Sequence, residues 1–237
     1  GLENLMRKVK IIVFIVALIV GLAFAKIFGF SLGFNLPSIN VFSKVRGSGN
    51  VQSEKRDVAG FSSVKVSGAI AVEVVAAQNN FAVEVEADDN LLENVKTEVR
   101  GETLRIYTDG RFSTRSPIRV RVAMPQIEWF EVSGASSGNL TNIQNESLTL
   151  EASGASKIKV QGEARELRVD LSGASKLDAD NLKSENVRVE ASGASCANVF
   201  VSNEINADAS GASTIRYSGE PREVKKNTSG ASSVKQR

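Results

Sequence analysis

Apolar and polar residues alternate through the second half of the chain. In one stretch Leu148, Leu150, Ala152, Gly154, Ser156, Ile158 and Val160 are apolar or small, and Thr149, Glu151, Ser153, Ala155, Lys157 and Lys159 between them are mostly polar. A period of two is that of a strand with one buried face. The next stretch repeats it with Leu167, Val169, Leu171, Gly173, Ser175 and Leu177 inward, and a third with Val187, Val189, Ala191, Gly193, Ser195, Ala197 and Val199. Weaker copies surround Gly211 and Gly230. Each is centred on Ser-Gly-Ala-Ser, which begins at Ser133, Ser153, Ser172, Ser192, Ser210 and Ser229, in steps of 20, 19, 20, 18 and 19 residues. Such a period is too short for a helical-hairpin repeat and fits one coil of a β-solenoid.

Chain length then predicts a bend. Thirteen extended residues reach about 43 Å at ~3.3 Å each, whereas the six that remain in a coil span about 20 Å when taut. A straight strand therefore cannot close, and the bend is expected at Ser-Gly-Ala-Ser. Gly134, Gly154, Gly173, Gly193, Gly211 and Gly230 are the expected corners, placed inward, where bulk is missing and unusual backbone angles are tolerated. The apolar parity is the same on both sides, so the bend leaves the two faces unswapped. Stacked corners put Ser156, Ser175 and Ser195 in an inward column with ~4.8 Å between coils, too far apart for hydroxyl-to-hydroxyl bonds. Each is expected to bond a backbone group or water. Ser133, Ser153, Ser172, Ser192, Ser210 and Ser229 form an outward array, the candidate display surface.

The first half alternates less regularly. Strands are predicted at 81–87, 95–99, 104–108 and 118–124, with a degenerate corner at Ser67-Gly68-Ala69 and a helical turn capped by Asn90. At the N-terminus a basic flank, residues 6–10, precedes the uncharged run Ile11 to Ala25. Ala23-Phe24-Ala25 suits cleavage of a secretory signal near Ala25. Apolar character also continues to Phe34, past a Lys26 able to snorkel, which suits a retained transmembrane anchor. In both readings the basic flank stays cytoplasmic and the rest is exported. The expected organisation is a flank and hydrophobic segment at 1–34, a linker at 35–46, a less regular β-rich half at 47–132 and the repeat solenoid at 133–237.

Gly47-Ser48-Gly49-Asn50, Arg56-Asp57-Val58-Ala59-Gly60-Phe61, Asp89-Asn90-Leu91-Leu92, Gly101-Glu102-Thr103-Leu104-Arg105-Ile106 and the Ser-Gly-Ala-Ser series occur in that order. On these motifs, residues 47–237 resemble the putative autotransporter-adhesin head GIN domain family. The resemblance implies an all-β, β-helix-like exported domain and carries over no catalytic residues. With the periodicity, the expected fold is an all-β, right-handed β-solenoid of ~19-residue coils behind an N-terminal hydrophobic helix.

Composition narrows the function. Net charge is +2 with the signs interspersed, which argues against nucleic-acid binding. Histidine is absent and Cys196 is the single cysteine, so the usual general base, metal ligands and intrachain disulfides are missing. Asp88, Asp89, Asn90 and Glu93 match no calcium-loop spacing and read as a solvated turn, and Glu73, Glu84 and Glu86 as a solvated face. Trp129 and Phe130 are expected to fill the junction between the halves, and Cys196 to lie outward beside a corner. No catalytic residue, cofactor or metal is expected. The expectation is a non-enzymatic surface protein whose solenoid is an adhesion or scaffold module. It touches the membrane through residues 6–34 and a surface polymer or glycan through its head. The alternatives are a self-assembling filament or layer subunit and a polysaccharide-binding or -processing β-helix.

Overall fold

The computed structural model describes residues 45–76 and 79–237. The expected hydrophobic segment at 6–34, nearly all of the 35–46 linker and Gln78 of one predicted turn lie outside the described residues. Among the described residues no helix is long and apolar enough to cross a membrane.

The alternation is realised as a β-solenoid. The first half holds β1 (Val45–Arg46), β2 (Val51–Arg56), β3 (Ser63–Val66), β4 (Ile70–Val75), β5 (Ala82–Asp88), β6 (Val95–Arg100), β7 (Thr103–Thr108), β8 (Phe112–Ser113), β9 (Ile118–Ala123) and β10 (Trp129–Val132). The repeats form β11 (Ser137–Ala152), β12 (Lys157–Leu171), β13 (Lys176–Lys183), β14 (Asn186–Ala191), β15 (Cys196–Phe200), β16 (Glu204–Ala209), β17 (Thr214–Ser218), β18 (Glu223–Thr228) and β19 (Ser233–Gln236). Each corner joins a strand on one face to a strand on the other. Ahead of the corners β10, the end of β11, the end of β12, β14, β16 and β18 pair in parallel. Behind them β4, the start of β11, the start of β12, β13, β15, β17 and β19 do the same. In-register stacking lines up the inward residues of successive coils, as in Ile158, Leu177, Ala197, Ile215 and Val234. One apolar core therefore runs from Phe61 to Tyr217.

At the corner the structure corrects the expected facing of the glycines. Gly154, Gly173 and Gly193 are exposed, and the inward residues flanking the first of these bends are Ala152 and Ser156. Three residues, Ser153 to Ala155, arch outside the core between them. The glycine is required by the coil beneath it and not by the interior. Gly154 and Gly173 have φ of 74° and 72°. A Cβ on Gly154 would lie 2.6 Å from the carbonyl oxygen of Gly134, and one on Gly173 2.7 Å from that of Gly154. The close approach is used: the amide of Ala155 donates to Gly134 at 2.8 Å, that of Ala174 to Gly154 at 2.8 Å and that of Ala194 to Gly173 at 2.7 Å. The ladder begins at the degenerate corner, where Ala135 donates to Gly68 at 2.8 Å, and reaches Ala231 on Gly211 at 2.7 Å.

The last serine of each corner is buried at Ser136, Ser156, Ser175, Ser195 and Ser213. As expected, these hydroxyls find backbone. Ser156 Oγ lies 2.8 Å from the Ser153 carbonyl in its own coil and 3.2 Å from the Val132 carbonyl of the coil before. Ser175 repeats this with Ser172 at 2.9 Å and Ala152 at 3.2 Å.

The first half carries an arrangement the periodicity did not indicate. β3 pairs with β10 on one side and β7 on the other, and β4 with β11 and β9. The coil at 63–75 is thus sandwiched between a coil formed later in the chain, at 103–123, and the coil at 129–141. Antiparallel β5 and β2 extend one face beyond β9, and β6 extends the other beyond β7. The helical turn is a 3-10 helix at Asp89–Asn94 whose N-cap is Asp88, without a side-chain capping bond. Asn90 is not the cap; its side chain is spent on the backbone of Arg46 and Ser48.

At the other end the inward column turns polar. Val224, Lys226 and Thr228 of β18 stand in register with Ile205, Ala207 and Ala209, and all six residues of β18 are exposed. The Lys226 ammonium lies 4.9 Å from the centre of the Tyr217 ring, a cation–π contact laid across the end of the core.

Candidate functional site

The outward serines stack beside a second column that the sequence reading left among the polar positions. Two residues ahead of successive corner serines stand Glu131, Glu151, Asp170, Glu190 and Asp208, in register from strand to strand. Adjacent parallel strands hold these carboxylates ~4.8 Å apart, a spacing at which like charges repel. The signal was legible as an acid at a fixed offset from five corners. A period of two gives each of these residues a side but not its neighbours in the adjacent coils. With Ser153, Ser172, Ser192, Ser210 and Ser229 they line a groove of about 380 Å³ along the coil axis.

Repulsion in this ladder is offset locally. Lys65 meets Glu131 at 2.6 Å, Arg168 meets Asp170 at 3.3 Å and Arg188 meets Glu190 at 2.8 Å. Trp129 donates its indole N–H to Glu151 at 2.9 Å. The Arg188 guanidinium is held above its ordinary range, first by its hydrogen bond to Glu190, then by the charges of Glu190, Asp208 and Asp170. The expected junction filling is divided between two neighbours. Phe130 is fully buried, while Trp129 is half-buried and serves the acidic column.

The opposite face has a different balance. Lys157 and Lys176 are directly paired in register, and Cys196 and Thr214 continue their column outward and beside the corners. Lys159 stands two residues along the same strand, in register with Asp178. With Ala71, Glu73, Ser137, Gly138, Asn139, Thr141 and Gln161 these residues line a trough of about 480 Å³. Beneath it Gly138 is an inward position, where a Cβ would come within 2.3 Å of the Phe130 ring in the core.

The remaining candidates resolve into structure. Glu84 and Glu86 pair with Arg121 and Arg119, and Glu73 with Arg121. Asp88 is buried rather than solvated; its carboxylate accepts from Thr114 Oγ1 at 2.7 Å and packs against Gly47, where a side chain would collide with it. Asp89 accepts from Ser48 at 2.5 Å and Asn50 at 3.0 Å, and these bonds hold its carboxyl below its ordinary range. Among the described residues no group of three or more Asp, Glu or Cys is placed to hold a metal ion. Cys196 Sγ lies 3.2 Å from a guanidinium nitrogen of Arg216.

Comparison with known proteins agrees with this architecture. Residues 60–221 match the family described as "Putative auto-transporter adhesin, head GIN domain". A Bacteroides fragilis protein called a putative adhesin is 15% identical, with a TM-score of 0.66 over 81% of this chain and 100% of its own. A Parabacteroides distasonis protein called a putative lipid binding protein is 15% identical, with a TM-score of 0.52 over 82% of this chain and 99% of its own. A Parabacteroides merdae protein called a putative adhesin is 16% identical, with a TM-score of 0.52 over the same shares, 82% and 99%. At these identities the likeness is one of fold. No curated protein matches the chain.

Proposed function

The chain belongs to the family described as "Putative auto-transporter adhesin, head GIN domain", and on that premise we propose that it is a non-enzymatic, exported surface module whose solenoid presents a rigid periodic array to a partner. The observation that carries this reading is the corner column. The buried hydroxyls are spent on the backbone that locks the bend, and Ser153, Ser172, Ser192 and Ser210 stand at regular intervals on the outer side, Ser192 with its hydroxyl donated to the Leu171 carbonyl at 3.3 Å. Such an array suits extended contact with a polymeric or cellular surface more than chemistry on one bond. The hydrophobic segment at 6–34 is the proposed membrane attachment.

Assembly by end-to-end stacking is the less favoured reading. It would place the Lys226 ammonium, now over Tyr217 and open to water, between two apolar cores.

Protease added to intact cells that express the full chain tests the surface reading. Cleavage of the head without lysis, with a cytoplasmic marker left whole, is the expected result. A head that resists added protease until the cells are lysed, and is then cut, would overturn it.

A further inference from the structure

We propose that the trough behind the corners, bordered by Lys157, Lys159 and Lys176, is a binding site for an acidic polysaccharide. The two faces settle their charge differently. On the acidic face three of the five carboxylates, Glu131, Asp170 and Glu190, have cations from the fold itself, and Glu151 has an indole donor. Lys157, Lys159 and Lys176 form no ion pair among the described residues. Lys157 and Lys176 are nonetheless held side by side on adjacent strands by the register. Like charges directly opposite are destabilising, and an anion lying between them removes that cost.

The carboxylates near these lysines do not cancel them. Glu73 is 3.6 Å from Arg121, and Asp178, in register with Lys159, lies beyond ion-pair distance from it. Glu73 shares that arginine with Glu84, so counting both Asp178 and Glu73 against the three lysines still leaves one positive charge on the trough.

Shape and neighbouring groups select the class of anion. Ala71 and Ser137, the outward residues in register with Lys157 and Lys176, are small, so the trough is recessed beside the two ammonium groups. Ser137, Asn139, Thr141 and Gln161 add hydroxyl and amide groups that hydrogen-bond in both senses, which suits sugar hydroxyls. The ammonium groups suit carboxylates repeated along the chain. A single-stranded nucleic acid asks for aromatic platforms as well as charge, and this trough has none. The inference goes beyond surface display by naming a ligand chemistry, and relies on that reading only for access to such a polymer.

Binding of the purified full chain to polygalacturonate, with neutral dextran of matched length and poly(dT) as comparisons, tests this separately from localisation. The chain is expected to bind polygalacturonate and to ignore dextran. The triple variant Lys157→Gln, Lys159→Gln, Lys176→Gln is expected to bind at least roughly tenfold more weakly at low salt. The triple change to Arg, which keeps the charge, is expected to stay within about threefold of the parent. All three positions are exposed, and an unchanged melting temperature will confirm that the fold is intact. Equal binding by the parent and the Gln variant, loss of binding in the Arg variant, binding to dextran as well as polygalacturonate, tighter binding to poly(dT), or no binding at all would each overturn the proposal.

Discussion

Valine in place of Gly173 is expected to cost about 3 kcal/mol or more, because it combines backbone strain with a collision that has no outlet. The strain comes from φ, +72° at this position, which a β-branched residue resists strongly. The collision is with backbone, since even the first side-chain carbon would sit 2.7 Å from the Gly154 carbonyl oxygen. Relief would mean prising two coils apart, and with them the Ala174 and Ala194 rungs above and below. Lys176→Gln, three residues on and exposed, is expected to cost under about 0.5 kcal/mol. Urea unfolding of the two variants measures the contrast. Similar small losses would mean that the corner is not fixed by the coil beneath it.

The second large effect is expected at Phe130, the bulkiest fully buried side chain among the described residues. It stands in register between Val64 and Leu150, and its ring reaches across the core to the bare backbone of Gly138. Phe130→Ala should cost about 3–5 kcal/mol, from lost burial and from a cavity that rigid stacked strands cannot collapse. Gly138→Ala should also destabilise, since its methyl would lie 2.3 Å from that ring. Combined, the two changes are expected to cost clearly less than their sum, because the smaller residue at 130 makes room for the methyl at 138. Additive losses would show that ring and glycine do not share one space.

Much of this fold was legible from the alternation. The inward sets, the corners and the buried serine hydroxyls seeking backbone all follow from period two and the length of one coil. The role of the glycine was not legible in the same way. Parity alone placed it inward, but the arch lifts it outside, and the contact that excludes a side chain belongs to the neighbouring coil. The position of 63–75 in the stack was hidden for a related reason. Val64 and Val66 look alike whether they pair with β7, with β10 or, as they do, with both.

The candidate sites divide along the same line. Ser153 and its equivalents were found because the motif marks them. The acidic column and the lysine pair appear only when residues some twenty apart are set side by side, as at Glu151 and Asp170 or Lys157 and Lys176. In a solenoid the chemical surface is written across coils more than along the chain. An outward residue acquires its meaning from the residues stacked above and below it.

Hydrogen exchange at the corner alanines tests most directly whether the coils are locked together there. Ala155, Ala174, Ala194 and Ala212 are exposed to solvent, yet each amide donates to the glycine carbonyl one coil back. Measured residue by residue in the full chain, these amides should exchange as slowly as those of the core strands, because opening one rung means separating coils. Exchange at the rate of an ordinary exposed loop would contradict the account.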